Sequence, residues 1–391
     1  MTRLLDRLLV AVYVAVAALP AFAMLADWRG RELHGSLEPA KLPAITFGDV
    51  LTEKVQHGIV AWFEGNLGLK GSSIALDNAI LYHVFGETRP GAGVRLGKDR
   101  FLFGNEDIDY YNKTGRWIVD PAYVEKLAEQ IANVQRRLRA QGRALVPVIV
   151  PAKTSIWRDK VPDAWVMDLP SPRPADETTR MVKEALAKRG VVFVDARELF
   201  VTSTVPRIDL YGPDARHWSA YGACLAMSAI VDAHAQLTAT PRLSHDCVFQ
   251  RQRVPRSNDD FDLWRLLNAQ WVYPTVKQVP GVKHPPPPPA RSRPRMLVTS
   301  TSFGWQLMRD AYDSGVFAAV WMNYYNQVFV DAAEGPNAVR IPVEPSKPGW
   351  RDRVMTNDLI VLDLFESYLG YPEAYVQLFL DDVTRALDAP R

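Results

Sequence analysis

The chain has 391 residues, 48% of them hydrophobic and 23% charged, with a net charge of +2 and an isoelectric point near 8.4. This is globular composition, with enough apolar material for one large core or two smaller ones. No dense stripe of Lys and Arg is present, which argues against a nucleic-acid binder. Eleven Trp and fourteen Tyr are compatible with sugar-binding faces, although any single ring serves more often in a core.

Arg3 and Arg7 precede an uncharged apolar run from Leu8 to Ala26, closed by Asp27, Trp28 and Arg29. Its nineteen residues come close to the ~20 a spanning helix needs. The run is longer than the apolar core of most cleaved signals. The expectation is an N-terminal anchor over residues 1–28, with residues 29–391 exported as one domain. Ala21-Phe22-Ala23 has the small-x-small pattern of a peptidase site, so a cleaved signal is the alternative. Arg29 and Arg31 weaken the positive-inside bias, and orientation rests on the signal-like layout.

From Leu37 to about Ile45 the chain reads as an irregular, Pro-containing tether. Phe47 to Phe85 has helical spacing, broken by Gly65, Gly68 and Gly71 into two helices. Residues 94–103 predict a hairpin with Lys98-Asp99 in the turn. Pro121 to Gln141 predicts a helix with Pro in its first turn. Residues 144–150 and 191–195 predict buried strands, separated by a helix over 178–188. Ser219 to Leu237 predicts a helix after a loop at 214–218. Gly281 to Pro294 is a basic, Pro-rich surface insert. Strand and helix then alternate again, with strands at 295–300, 316–322 and 358–364, a helix over 304–312 and a C-terminal helix running through Leu378. Alternation of buried strands with amphipathic helices predicts an α/β sandwich with a mainly parallel sheet.

Two stretches carry chemistry. Asp214-Ala215-Arg216-His217-Trp218-Ser219 sets a carboxylate three residues before an imidazole. Such a pair suits the base half of a hydrolytic triad, the acid fixing the tautomer and stabilising the imidazolium. Met296 to Phe303 supplies the nucleophile, Ser302, two residues past an apolar strand and just before a helix. A serine there lies at the carboxyl end of a sheet strand, where reactive groups gather and helix N–H groups face a developing oxyanion. Ser300-Thr301-Ser302-Phe303-Gly304 only superficially resembles the G-x-S-x-G elbow. An α/β-hydrolase places its His after the nucleophile, and none of the seven histidines follows His284. Among them, His217 has a carboxylate three residues before it in a loop-like setting, whereas His245 has only the adjacent Asp246. The bland alternative makes Asp214 a helix cap. Cys224 and Cys247 either form one disulfide tying down the helix after His217 or are two buried thiols. Their spacing suggests no metal site.

The ordered motifs resemble the SGNH-type esterases, and within them the branch containing the alginate O-acetyltransferases of bacterial exopolysaccharide systems. There an Asp/His pair followed by Trp precedes a Gly-(Thr/Asp)-Ser-(Phe/Tyr) turn, an order kept by Asp214, His217, Trp218 and Ser302. Leu96-Gly97-Lys98-Asp99-Arg100-Phe101-Leu102-Phe103 resembles the family's hairpin, and Val150 to Trp157 with Lys160-Val161-Pro162 resembles its Pro-x-Lys segment. Two departures stand out: the branch commonly has Asp-x-His, and the Gly before the nucleophile turn is Ser300 here. The Gly and Asn blocks that complete the oxyanion hole in ordinary SGNH enzymes are not evident.

The resemblance implies an SGNH-like three-layer sandwich and a serine O-acetyltransferase acting on an extracytoplasmic polysaccharide. It is expected in the periplasm, held to the inner membrane by its N-terminal helix. Ser302 is then nucleophile, His217 general base and Asp214 the orienting acid. The Ser302 N–H is one candidate oxyanion donor, with a second from Asn323, Tyr324 or Tyr325. Trp218, Trp305 and Tyr324 are candidates for the sugar cleft, and Lys153 for contact with an acidic sugar. The resemblance also implies a membrane-bound O-acyltransferase that delivers acetyl groups. No cofactor or metal is expected. An acetyl esterase with the same triad, or a non-catalytic polysaccharide-binding subunit, is the alternative.

Overall fold

A computed structural model describes residues 2–28, 30–35, 39–112, 119–167, 174–255, 259–269, 276–287, 289, 293–369 and 375–389. Parts of the expected tether at 37–45, Arg29 of the anchor's flank and part of the Pro-rich insert lie outside these residues. The chain falls into two compact units, one of residues 1–96 with 263–274, the other of residues 97–262 with 275–391.

In the first unit, Thr2–Leu25 is one helix. It is long and apolar enough to cross a membrane, and almost none of it is buried. Helices Phe47–Leu51, Lys54–Asn66 and Lys70–Ile80 follow, the last running on into a wider turn at Leu81–Phe85. The break at residues 67–69 falls where the glycines predict it, and a second break at Thr52-Glu53 goes beyond that expectation. Strand β1 (Val94–Leu96) ends the N-terminal part of this unit.

The second unit contains β2 (Leu102–Gly104), β3 (Ala144–Val150), β4 (Val194–Asp195), β5 (Val248–Pro255) and β6 (Val276–Lys283), then β7 (Arg295–Ser300), β8 (Ala319–Tyr324), β9 (Val328–Asp331), β10 (Ile341–Pro342) and β11 (Leu359–Phe365). Among the described residues, the main sheet has seven strands in the order β10-β9-β8-β7-β11-β3-β4. Pairs β8–β7, β7–β11, β11–β3 and β3–β4 are parallel, while β9 and β10 add antiparallel edges. All seven residues of β3 and all seven of β11 are buried, as a central parallel strand covered on both faces requires.

Alternate residues feed two cores. Val146, Val148, Val298 and Val361 face one; Leu145, Ile149, Leu297 and Ile360 face the other. Helices Ala220–Thr238 and Gly304–Ser314 supply Met227, Ile230, Leu307 and Ala311 to the first. Pro121–Arg139, Pro174–Lys188 and Tyr375–Asp388 supply Ile131, Leu186 and Phe379 to the second. This is the expected three-layer sandwich. The C-terminal helix begins at Tyr375 and continues ten residues past Leu378, to Asp388.

The expected insert at 281–294 needs correction at its start. Gly281 to Lys283 belong to β6, which pairs antiparallel with β5 over eight positions, from Val248 opposite Lys283 to Pro255 opposite Val276. Cys224 and Cys247 form a disulfide that ties the start of this hairpin to helix Ala220–Thr238.

Candidate active site

Ser302 follows β7 in a tight turn held from beneath by β11. Asp363 Oδ2 accepts the Ser300 hydroxyl at 2.7 Å, the Thr301 N–H at 2.9 Å and the Thr301 hydroxyl at 2.7 Å. All three donors and the carboxylate are buried, and burial pushes the Asp363 carboxyl above its usual range. The turn leaves no room for a side chain at Gly304, where a Cβ would lie 2.5 Å from Ser300 Oγ. The peptide therefore enters helix Gly304–Ser314 at close quarters, with the Ser302 side chain turned toward the loop that carries His217.

That loop is fixed through its carbonyls. Lys153, just past β3 and fully buried, donates from Nζ to Pro213 O at 2.8 Å and Ala215 O at 2.5 Å. Burial lowers its ammonium to about 8, against the pull of Asp107, Asp262 and Asp214. Pro213 O also accepts the Leu102 N–H at 3.0 Å, and the Tyr211 hydroxyl donates to Arg216 O. Ser219 caps the following helix by accepting the Gly222 N–H at 3.0 Å, while its hydroxyl donates to Asp209 O at 2.6 Å. The imidazole of His217 is then braced edge-on by the Phe303 ring at 4.6 Å.

His217 Nε2 lies 2.8 Å from Ser302 Oγ, and Nδ1 lies 2.6 Å from Asp262 Oδ2. The other Asp262 oxygen accepts the Arg216 N–H at 2.7 Å. With Nδ1–H donating to Asp262, Nε2 is left to accept the Ser302 O–H. Carboxylate, imidazole and hydroxyl stand in the order that nucleophilic catalysis by serine requires.

The sequence pairs His217 with Asp214, whereas in the structure the carboxylate bonded to His217 is that of Asp262. Asp214 accepts from Lys277 Nζ of β6 at 3.0 Å. In an irregular loop its side chain turns to the hairpin while that of His217 turns to Ser302. Asp262, 45 residues from His217, was missed. It sits in the run Asp259-Asp260-Phe261-Asp262, which matches no spacing rule.

Other expectations divide. Lys153 has no exposed surface with which to meet a sugar, because its ammonium is used on the loop. Trp218 is buried between Phe200 and Phe303 and is a core ring. Asn323 is fully buried and donates from Nδ2 to Asn326 Oδ1 at 2.8 Å, which shapes the turn between β8 and β9. Tyr324 stands behind Trp305, with ring centroids 5.5 Å apart. Trp305 itself lines a cavity of about 640 Å³ onto which His217, Asp262 and Ser302 open. Gln306, Arg309, Tyr312, Asp313 and Glu334 complete its polar wall. The Tyr325 phenol lies near the Ser302 side chain, and burial raises its ionisation well above the ordinary range, so it stays protonated.

A second cluster lies apart from the relay. His245 Nε2 meets Asp310 Oδ2 at 2.8 Å and His284 Nε2 meets Oδ1 at 3.2 Å. Cys224, the fourth potential metal ligand there, is committed to the disulfide, and the two imidazoles share the Asp310 carboxylate through their Nε2 atoms.

Residues 94–298 match the family described as SGNH hydrolase-like domain, acetyltransferase AlgX. Ser302 lies just beyond that span. A "probable alginate O-acetylase AlgJ" of Pseudomonas aeruginosa is 27% identical over 150 residues, 38% of this chain and 34% of that protein. The match thus spans about a third of the relative's length.

Among solved structures, the O-acetyltransferase domain of Pseudomonas putida AlgJ has a TM-score of 0.47 at 16% identity, over 75% of this chain and 99% of that one. Bacillus cereus PatB1 has a TM-score of 0.46 at 12% identity, over 70% and 95%. AlgX of Pseudomonas aeruginosa has 0.46 at 11% identity, over 75% and 72%. The family match covers more than half of the chain, and on that ground the chain belongs to the AlgX family of SGNH hydrolase-like acetyltransferase domains.

Proposed function

We propose that this protein is a serine O-acetyltransferase that acetylates an extracytoplasmic polysaccharide, with Ser302 as nucleophile, His217 as general base and Asp262 as the orienting acid. The observation that carries the reading is the continuous relay Asp262–His217–Ser302, at 2.6 and 2.8 Å, opening onto one cavity. Ser302 Oγ attacks the carbonyl carbon of an acetyl donor as its proton passes to His217 Nε2. Asp262 stabilises the imidazolium at Nδ1. Collapse of the tetrahedral adduct breaks the bond to the donor's leaving group, which takes the proton from Nε2, and leaves acetyl-Ser302. A sugar hydroxyl then gives its proton to Nε2 and attacks the acetyl carbonyl. Expulsion of Ser302 Oγ, reprotonated from Nε2, completes the cycle.

The adduct's oxyanion needs donors that are already in place. The Ser302 N–H and the Tyr325 hydroxyl fill that role in this reading. Trp305 and Tyr312 offer ring faces to the acceptor sugar. The apolar helix Thr2–Leu25 supports attachment to the inner membrane with the sheet unit in the periplasm. That position suits acetyl delivery by a membrane-bound O-acyltransferase.

Burst-phase release of a chromogenic phenol from its acetyl ester tests the reading, with Ser302→Ala as control and candidate glycans as acceptors. A Ser302-dependent burst with acetyl appearing on the glycan is expected. A burst followed by hydrolysis alone would make the enzyme an acetyl esterase, and no Ser302-dependent burst would sink both.

A further inference from the structure

His245 and His284 flank the β5–β6 hairpin. His245 comes shortly before β5, and His284 directly follows β6, which ends at Lys283. The register sets Lys283 opposite Val248, so both histidines stand at the open end of the ribbon. Their ring centroids are 5.5 Å apart. Asp310 reaches them from helix Gly304–Ser314. All three residues belong to the sheet unit.

The meeting point is held by contacts outside the three side chains. The Cys224–Cys247 disulfide ties the loop before β5 to helix Ala220–Thr238. Arg242 braces the same loop, donating to His245 O at 3.0 Å and to Ser228 Oγ at 2.7 Å.

Both imidazoles meet the carboxylate through Nε2, at 2.8 and 3.2 Å. Side-chain exposure is 0% for His245, 4% for Asp310 and 10% for His284. Two imidazole nitrogens and one carboxylate, converging out of water, are a donor set suited to first-row divalent ions. Around a tetrahedral zinc with bonds of ~2.0–2.2 Å, ligand atoms stand about 3.3 Å apart. The two contacts are already close to that spacing. Cys224 Sγ, 4.0 Å from His245 Nε2, is bonded to Cys247 and offers no thiolate.

One side of the cluster opens. A cavity of about 180 Å³ is lined by His284 and Asp310 together with Asp260, Asp313 and Gln252, which is ample room for water. Among the described residues, three carboxylates border it against the single guanidinium of Arg309, a balance that attracts cations.

We propose that His245, His284 and Asp310 bind one divalent first-row cation of the zinc type, with water from the adjoining cavity completing its coordination. Binding sends the Nε2 protons to solvent. The ion clasps the open end of the hairpin to helix Gly304–Ser314 and takes no part in acetyl transfer. The proposal is therefore independent of the relay's role. Magnesium and calcium, which prefer oxygen, do not suit a site with two imidazole donors.

The test uses the untagged full chain in detergent, dialysed against a chelator and titrated with zinc chloride by calorimetry. Cobalt(II) chloride is the spectroscopic probe of the ligand field. Wild type is expected to take up one zinc per chain and to unfold at a higher temperature with zinc present. Magnesium chloride should do neither. His284→Gln and Asp310→Asn should weaken zinc binding by more than the ~10- to 100-fold that loss of an outer-shell partner costs. Both should also abolish the zinc-dependent rise in unfolding temperature. His217→Ala should bind as wild type does.

A wild type that takes up no zinc at micromolar free metal would overturn the proposal. So would undiminished binding by His284→Gln, which decides alone should Asp310→Asn fail to fold. Loss of zinc in His217→Ala but not in His284→Gln would place the ion at the relay and equally overturn it.

Discussion

His217 Nδ1 is bonded to Asp262, 45 residues away along the chain, while Asp214, three residues away, accepts from Lys277. Chain proximity and spatial service are separated because loop 213–217 is hung by its carbonyls on Lys153 and Tyr211. That suspension aims the imidazole at Ser302 and leaves Asp214 facing the hairpin. Asp262→Asn should lower kcat about 10³- to 10⁴-fold, as loss of a tautomer-fixing acid does in serine enzymes. Asp214→Asn should stay within a few-fold of wild type. Steady-state kinetics of the two purified variants decide between them.

Asp363 is the keystone of the nucleophile turn. Asp363→Ala would leave the Ser300 hydroxyl and both Thr301 donors buried without their partner. Each orphaned group costs about 1–3 kcal/mol. A loss of several kcal/mol in urea unfolding is expected, together with slower acetylation of Ser302 in whatever fraction remains folded.

Lys153 gives a pH dependence of definite sign. Its ammonium is at about 8 in the folded chain against an ordinary 10.5, so between these values the native state binds fewer protons than the unfolded one. Stability owed to this group therefore rises as pH rises through that window, by at most about 3 kcal/mol. Below pH 8 the buried charge is a cost in full. Unfolding free energies of wild type and Lys153→Met at pH 7, 8.5 and 10 should diverge with pH in this direction, the wild type gaining more.

The disulfide between Cys224 and Cys247 closes 23 residues of chain. Chain-entropy reasoning gives about 3 kcal/mol for a loop of that length. Cys224→Ala with Cys247→Ala should lower the urea midpoint accordingly. The effect on Ser302 acetylation should be small, because neither the His217 loop nor the Ser302 turn is bonded through these residues.

The central strands were legible because a parallel strand covered on both faces has to be apolar throughout. Residues 144–150 and 359–365 satisfy this, and their ends duly present Lys153 and Glu366. The settings of Ser302 and His217 were legible for a related reason, each standing just before a helix at a strand end or in a capped loop. The β5–β6 hairpin was not, since its Arg, Gln and Pro residues obscure a period-two pattern.

Lys153 reads from the sequence as a contact for an acidic sugar, and nothing local announces that two carbonyls 60 and 62 residues on hold its buried ammonium. Asp262 is the sharpest case. Its pairing with His217 is made across 45 residues of chain, and no local pattern of residue types encodes that.

The account's central claim is that acetyl passes through Ser302 with Asp262 behind His217. Intact-mass spectrometry after millisecond mixing with an acetyl ester tests it most directly, with the modified peptide then located by digestion. The account predicts one acetyl on Ser302 in wild type and in Asp214→Ala, none in Ser302→Ala, and markedly slowed labelling in Asp262→Ala. Acetyl-enzyme in Ser302→Ala, or slowing by Asp214→Ala while Asp262→Ala labels at the wild-type rate, would contradict it.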